Sequence, residues 1–433
     1  MNNIFKNIEG DRTIWAIVAI LAILSFLPVY SASTNLVYVA NNGTTTYHLF
    51  KHAFLLFCGF FIIYAVHKVP FRYFSGGSLL AMPLVIVLLV YTLTQGTTID
   101  GANAARWIQI PFIGVGFQTS TFAGLVLMIY VARYLAKNKD KEIIFKESIL
   151  QLWLPIAIIL MFILPANFST TAIIFSMILL VCFVGGYPFK YLASVVGIGV
   201  LVLTLFVLTA KAFPNVLPNR VDTWISRVEN FSNQDAEEGY QVEKAKIAIA
   251  SGGITGRGPG KSIQKNFLPQ SSSDFIFAII VEEYGLIGAI SVLGIYLLLL
   301  FRFVVAAHKS NSLFGKLVVV GLGFPIIFQA LTNMAVAVEL LPVTGQTLPL
   351  ISSGGSSVWM TCIALGIILS VTKKEEEIAE ELADKQKREE ALQRMIDKQL
   401  QEEEETEKAA EQIELEKYSI EDKANPLEPI LKK

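Results

Sequence analysis

The chain has 433 residues, of which 53% are hydrophobic and only 16% are charged, so it is too apolar for an ordinary soluble domain. Its formal net charge of −1 hides an uneven distribution, because charges are sparse up to about Thr372 and crowded from Lys373 onward. The three cysteines and four histidines show no disulfide pattern or metal-ligand spacing. The composition therefore predicts a membrane protein with a charged tail.

Ten apolar runs are long enough to cross about 30 Å of hydrocarbon as helices. The first starts close to the N-terminus without a small-residue cleavage site, so we interpret it as a retained span rather than a signal peptide. The predicted fold is therefore an all-α integral membrane protein with ten transmembrane helices. The runs cover residues 13–30, 49–67, 78–95, 120–136, 149–164, 170–184, 191–213, 274–307, 317–338 and 358–371.

Lysines and arginines fall in alternate connections between these runs. The positive-inside rule assigns those connections, and both termini, to the cytoplasm. A large outer loop, about residues 214–273 between the seventh and eighth helices, also contains bases, but long loops escape this rule. Loops of that length are typically functional or disordered.

The chain is predicted to form two parts, a membrane domain over residues 1–372 and a cytoplasmic tail over residues 373–433. The tail is rich in strong helix formers, and its apolar residues follow a patchy heptad pattern. A solvated helix, partly disordered, is favoured over a partner-binding coiled coil.

Three carboxylates stand in the stretch SSSDFIFAIIVEEYGLIG, residues 271–288. An acid in a membrane span is costly and commonly marks function. Asp274 lies at the outer end of the eighth run, where a helix-dipole role and a functional role are equally supported. Glu282 and Glu283 are either paired helix acids or site residues. A break near Gly285 would make residues 274–284 a shallow helix, whereas a continuous helix would place both acids about 12 to 14 Å deeper than Asp274.

The preceding loop reads YQVEKAKIAIASGGITGRGPGKSIQKNFLPQ, residues 240–270. Closely spaced glycines let main-chain amides approach an anion, and bases supply charge for phosphate. GRGPGKS is not a P-loop, because Thr255 occupies the position of the first glycine. The bases are also too few for a nucleic-acid surface. A phosphate on a lipid carrier fits the loop better.

The connection before the tenth helix reads NMAVAVELLPVTGQTLPLISSGGSS, residues 333–357. Gly354 and Gly355 either form a tight re-entrant turn, which the pattern alone favours, or permit close backbone approach to a ligand.

At this connection the sequence resembles the SEDS family (shape, elongation, division and sporulation), the bacterial peptidoglycan polymerases of the FtsW, RodA and SpoVE type. The carrying residues are LLPVTG and LPLISSGGSS within 340–357, with Asn333 and Gln329 ahead of them.

Three further blocks agree with the family in order: GANAARWIQI (101–110), the glycine-rich loop (240–265) and LPQSSSDFIFAIIVEEYGLIG (268–288). The resemblance covers about residues 12–372 and favours the FtsW (division) type over the RodA (elongation) type. The chain departs from the family where FQTSTFAG replaces the usual FQPSEFAK. Thr121 occupies the position of the family's acid, and Gly124 occupies the position of its lysine. Gln346 and Thr347 stand where Leu-Pro is common.

The resemblance implies glycosyl transfer at the outer face of a bacterial cytoplasmic membrane. The donor would be a glycan on undecaprenyl pyrophosphate, and the acceptor would be the GlcNAc 4-hydroxyl of lipid II. The catalytic carboxylate of the family maps onto Asp274, which would act as the base. No cofactor is certain, although a divalent cation, magnesium or manganese, could assist the pyrophosphate. Candidate substrate-binding residues are Arg106, Gln241, Lys261, Lys265, Ser352, Gly354 and Gly355, of which Arg106, Lys261 and Lys265 are candidate pyrophosphate contacts.

The resemblance also implies a cognate class B penicillin-binding protein, other division proteins and membrane lipid as partners. A lipid II flippase and a non-catalytic division scaffold remain alternatives to the enzyme. Many alternating-access transporters carry inverted repeats with broken helices in both halves. The sequence shows no such repeat, which favours the enzyme.

Overall fold

The computed structural model describes residues 9–38, 44–96, 107–109, 116–212, 224–225, 237–268, 271–373 and 383–401, together with 408, 412–413 and 415. By its contacts the chain divides into two units, Met1–Thr372 and Lys373–Lys433. The first unit is a bundle of helices. In the second unit, residues 383–401 form one exposed helix.

Each of the ten predicted apolar runs coincides with a helix over most of its described residues, which confirms the all-α membrane fold. Eight of these helices are long and apolar enough to cross a membrane. The other two, Phe168–Val184 and Gly355–Val371, are shorter apolar helices. The protein is therefore a multi-pass membrane protein, while the count of ten crossings stays a prediction. The helices are α1 Arg12–Tyr38, α2 Thr45–His67, α3 Arg72–Gln95, α4 Thr119–Lys137, α5 Phe145–Ile163, α6 Phe168–Val184, α7 Phe189–Ala212, α8 Glu237–Gly252, α9 Ile276–Lys309, α10 Leu313–Ala337 and α11 Gly355–Val371.

Helix ends follow local sequence signals. The Asp11 carboxylate accepts the N–H of Thr13 at 2.8 Å at the start of α1, and the Ser312 hydroxyl accepts the N–H of Gly315 at 3.0 Å at the start of α10. Such caps satisfy N–H groups that have no partner inside the helix. Between the caps, the apolar runs favour helices because a helix satisfies its own backbone groups in lipid.

Four elements were not predicted as such. Strands β1 (Trp107–Gln109) and β2 (Gly116–Gln118) form a short antiparallel hairpin in which Trp107 is paired with Gln118. Helix α8 and a 3₁₀ turn, Gln264–Asn266, lie inside the region predicted as a long outer loop. Strands of three residues carry too little periodicity to be recognised from a sequence.

Helix α9 breaks at Gly285, whose backbone angles are φ 66° and ψ −161°. The break leaves main-chain N–H groups after Gly285 without helical acceptors, and carbonyls of the glycine-rich loop accept them instead. The N–H of Leu286 donates to the Gly253 carbonyl at 2.9 Å, and the N–H of Ile287 donates to the Ile254 carbonyl at 3.2 Å. The prediction of a break near Gly285 is thus confirmed, and the alternative of a continuous helix is wrong.

Candidate active site

Asp274 lies in a turn two residues before α9, and its half-buried side chain lines a cavity of about 540 Å³. Helices α4, α6, α10 and α11 form the walls. Among the lining residues that the structure describes, Asp274 is the only ionisable side chain. The other polar groups are neutral amides and hydroxyls, such as those of Gln329, Thr347 and Ser357, and the rest of the lining is largely apolar. The cavity therefore suits an amphiphilic molecule with a polar part near one carboxylate.

Three consecutive carbonyls of the Asp274 turn are held by α10 and by the connection from α10 to α11. The main-chain N–H of Ser353 donates to the Ser272 carbonyl at 2.9 Å. The Ser352 hydroxyl donates to the Ser273 carbonyl at 2.7 Å. The Asn333 side-chain amide donates to the Asp274 carbonyl at 2.7 Å. We call these three contacts the carbonyl clasp.

The same connection forms the cavity wall next to Asp274. Gly345 has φ +67°, and a Cβ added there would lie 3.5 Å from Oδ2 of Asp274. The Gln329 amide donates to the Thr347 carbonyl at 2.9 Å, while the Gln346 amide reaches Thr170 of α6 at 3.3 Å. Neutral amides and hydroxyls thus fix this wall.

Glu282 is fully buried, with 0% of its surface exposed, and its partners come from the glycine-rich loop. Its carboxylate accepts the N–H of Ile263 at 3.0 Å, the N–H of Gln264 at 3.2 Å and the hydroxyl of Ser262. The Arg257 guanidinium lies 3.9 Å from the same carboxylate. A buried charge requires such donors to offset its lost hydration. Glu282 is therefore a helix acid that organises the loop.

Glu283 is 1% exposed and connects the loop with α1. Its Oε1 accepts the Ser31 hydroxyl and, at 3.4 Å, the N–H of Ser262. The Lys265 ammonium donates to the Ser31 hydroxyl at 3.1 Å and to the Gly260 carbonyl at 2.8 Å. This polar network is separate from the lining of the Asp274 cavity.

The glycines of the loop allow close contact between two backbones. A Cβ added at Gly252 would lie 2.1 Å from the Val281 carbonyl oxygen, and one added at Gly256 would lie 2.2 Å from the Glu283 carbonyl oxygen. The sequence indicated that these glycines open amides to a phosphate. In the structure, two other amides of the loop, those of Ile263 and Gln264, bind the carboxylate of Glu282, and the phosphate contact stays a prediction.

The structure brings only part of the predicted site together. Besides Asp274, the residues Gln241, Gly354 and Gly355 line the cavity. Ser352 is buried behind the wall, in the carbonyl clasp. Lys261 and Lys265 belong to the glycine-rich loop and do not line the cavity. Arg106 lies outside the described residues, although its neighbour Trp107 lines the cavity.

Several cavity residues were not predicted as site residues. Thr121 and Gly124 of α4 line the cavity, so the departures from the family pattern fall at the site itself. Asn167, Thr170 and Gln329 line it as well. They are neutral polar residues in apolar surroundings. That pattern does not separate a site residue from an ordinary helix cap, and the Asn167 side chain does cap α6.

Comparisons with known proteins agree with this fold. The family model described as "Cell cycle protein", for FtsW, RodA and SpoVE, matches residues 11–377. A relative from Halothiobacillus neapolitanus, named "Probable peptidoglycan glycosyltransferase FtsW", is 33% identical over 378 residues, which are 84% of this chain and 86% of that protein. A relative of the same name from Coxiella burnetii is 29% identical over 382 residues, which are 86% of this chain and 99% of that protein.

Two solved structures are similar over most of the chain. One belongs to a study of a peptidoglycan synthase complex that coordinates polymerization and crosslinking, with a TM-score of 0.64 and 25% identity over 84% of this chain and 97% of that chain. The rod shape determining protein RodA of Thermus thermophilus shares the fold, with a TM-score of 0.59 and 24% identity over 84% of this chain and 96% of that chain. Together with the family model, these matches confirm the resemblance read from the motifs: the chain belongs to the family of FtsW, RodA and SpoVE.

Proposed function

We propose that this protein is a peptidoglycan glycosyltransferase of the FtsW type that polymerises lipid II into glycan strands during cell division. The names of its relatives support this activity. The observation that carries the proposal is Asp274, the one carboxylate among the described residues that line a cavity with neutral polar and apolar walls. A cavity of this chemistry matches a lipid-linked sugar, which joins hydroxyls and amides to a long apolar chain.

In the proposed reaction, Asp274 is the base. It accepts the proton of the acceptor's GlcNAc 4-hydroxyl while that oxygen attacks the anomeric carbon of the donor. A new glycosidic bond forms as the bond between this carbon and the pyrophosphate oxygen breaks, and the undecaprenyl pyrophosphate leaves as an anion. A pyrophosphate needs charge neutralisation more than a proton, so one carboxylate suffices, whereas most glycosidases use two. Attack opposite the leaving group inverts the anomeric centre.

The neutral walls assist by binding and orienting the sugars. Gln241 and the Gly354–Gly355 turn line the cavity and are proposed substrate contacts, whereas Ser352 acts from behind the wall. The roles of Arg106, Lys261 and Lys265 as pyrophosphate contacts remain proposals. Lys265 is directed to Ser31 and Gly260, so a pyrophosphate contact would require its ammonium to turn away from them.

A divalent cation finds few ligands in the described part of the chain. No three His, Cys, Asp or Glu side chains come together there as a metal site. At the cavity, Asp274 is the one carboxylate among the described lining residues, and a tightly held magnesium or manganese ion prefers several oxygen ligands. No step of the proposed reaction is routed through a cation.

The membrane orientation belongs to this proposal. The alternation of basic connections supports cytoplasmic termini in the inner membrane and an extracytoplasmic cavity mouth. The similar chain from a peptidoglycan synthase complex supports a class B penicillin-binding protein as partner. Lipid II, the undecaprenyl-linked glycan, membrane lipid and other division proteins complete the proposed set of partners.

The test is polymerisation of lipid II by the purified protein together with its cognate class B penicillin-binding protein. Asp274→Asn and Asp274→Ala should abolish glycan synthesis. Glu339→Gln is the matched control, because Glu339 is a carboxylate paired with Lys246 that does not line the cavity, and it should retain activity. Full activity of both Asp274 variants would rule out the base. Transport of lipid II across liposomes without polymerisation would favour the flippase, and neither activity would favour the scaffold.

A further inference from the structure

We infer that Asn333 and Ser352 are positioning residues for Asp274. They hold the main chain of its turn so that the carboxylate stays directed at the cavity. This inference rests on the proposed function, in which Asp274 is the base. Neither side chain lines the cavity, so both would act through the turn rather than through the substrate.

Asn333 joins the carbonyl of Asp274 to a carbonyl of the neighbouring cavity wall. Its side chain is 1% exposed, and its Nδ2 donates to the Asp274 carbonyl at 2.7 Å and to the Gln346 carbonyl at 2.7 Å. Both partners are acceptors, so the nitrogen of the amide must face them. An aspartate or an apolar residue of the same shape cannot make these two bonds. Asn333 therefore ties the Asp274 turn to the cavity wall.

The amide holds this place despite an unfavourable feature. Its Oδ1 is buried and has no hydrogen-bond partner among the described residues. Burying an acceptor without a partner is unfavourable for folding. The two hydrogen bonds that the Asn333 amide donates offset this cost and join the turn to the wall.

Ser352 makes the second contact of the carbonyl clasp. Its side chain is 1% exposed, its hydroxyl donates to the Ser273 carbonyl at 2.7 Å, and it accepts the N–H of Leu348 at 2.7 Å. The N–H of Ser353 holds the Ser272 carbonyl next to it. Fixing three successive carbonyls fixes the peptide planes of residues 272–274. The backbone orientation in turn fixes the direction of the Cα–Cβ bond of Asp274.

The clasp affects the reaction by aligning the Asp274 carboxylate with the acceptor hydroxyl. A general base must lie within hydrogen-bond reach of the hydroxyl that it deprotonates, and a displacement of about 1 Å costs about 100-fold in rate. The Asn333 and Ser352 side chains do not line the cavity, so their loss removes no direct contact with the substrate. The expected loss is therefore in turnover, with little change in substrate binding.

The experiment compares Asn333→Asp, Ser352→Ala and Ser352→Thr in the full-length protein with its cognate penicillin-binding protein. The measurements are kcat and KM for lipid II, and hydrogen exchange of the peptide that covers residues 271–276. Ser370→Ala is the matched control, because the buried Ser370 hydroxyl donates to the Val69 carbonyl at 2.6 Å, away from the cavity. Asn333→Asp and Ser352→Ala should lower kcat about 10- to 100-fold, leave KM within about threefold and speed exchange in residues 271–276. Ser352→Thr retains the hydroxyl and should retain kcat, as should Ser370→Ala.

A kcat within about twofold of wild type in both clasp variants would overturn the inference. A fall in kcat matched by an equal rise in KM would also overturn it, because that pattern reports a damaged binding site.

If Asn333→Asp does not fold, the comparison of Ser352→Ala with Ser352→Thr tests the inference instead. The proposed function fails if the wild type does not polymerise, or if Asp274→Asn keeps the wild-type rate. In either case, hydrogen exchange alone tests whether the clasp holds the turn. Unchanged exchange in residues 271–276 would overturn it, and faster exchange confined to them would support it.

Discussion

The Glu282 carboxylate accepts the main-chain N–H of Ile263 at a distance of 3.0 Å. This hydrogen bond joins the first half of α9 to the glycine-rich loop. The next amide, that of Gln264, donates to the same carboxylate at 3.2 Å. A loop whose composition indicates a phosphate site therefore binds an anion of its own chain. The first role of these loop amides is to hold the loop over the break at Gly285.

We predict that Glu282→Gln destabilises the protein by about 1 to 3 kcal/mol. The glutamine amide group would place N–H donors against the N–H donors of Ile263 and Gln264, and at least one buried donor would lose its acceptor. The measurement is thermal unfolding in detergent. Glu142→Gln is the control, since Glu142 is exposed and should unfold like the wild type. Equal melting temperatures for all three proteins would contradict the assigned role of Glu282.

A pair of glycine variants separates backbone strain from lack of space. Gly256 and Gly260 both have positive φ, +79° and +76°. A Cβ at Gly256 would lie 2.2 Å from the Glu283 carbonyl oxygen, whereas no atom of the described residues lies within 4 Å of one at Gly260. Gly260→Ala should cost about 1 to 2 kcal/mol from strain alone. Gly256→Ala should cost clearly more and reduce the yield of monodisperse protein. Similar yields and melting temperatures for the two variants would show that the loop does not pack against α9 as described.

The departures from the family pattern on α4 allow a charge test at the cavity. Thr121 and Gly124 are three residues apart on one helix face, and both line the cavity. Thr121→Glu alone should reduce lipid II polymerisation, because it adds an unpaired carboxylate to a largely neutral cavity. Adding Gly124→Lys should restore part of the activity through an ion pair. The assay is glycan synthesis at equal amounts of folded protein, and an active single variant with an inactive double variant would refute this account.

Asp11 has two roles that substitutions can separate. It caps α1 through the N–H of Thr13 at 2.8 Å, and it forms an ion pair with Arg302 of α9. Asp11→Asn should keep the cap and lose the ion pair. Asp11→Ala should lose both and be less stable by about 1 kcal/mol more. Chemical denaturation or thermal melts of the two variants test this, and identical stabilities would mean that the cap contributes nothing.

Local sequence signals predicted much of the fold. The ten apolar runs became ten helices, and the break at Gly285 was recognisable because glycine in an apolar run is a natural place for one. Asp274 was identified through its motif and lies at the cavity. The carbonyl clasp was not predictable, because Asn333 and Asp274 are 59 positions apart. No periodicity links residues at that separation.

Local patterns in the chain were enough to predict the class of the protein, the positions of its helices and the acid at its candidate site. Helices are a local property because lipid forces each apolar run to satisfy its own backbone hydrogen bonds. The roles of the remaining polar residues depended on how the chain packs. Packing placed Glu282 against the glycine-rich loop, Lys265 beside Ser31, and Thr121 on the cavity wall. A buried polar group must find its partners wherever the packed chain brings them, and those partners are distant in sequence.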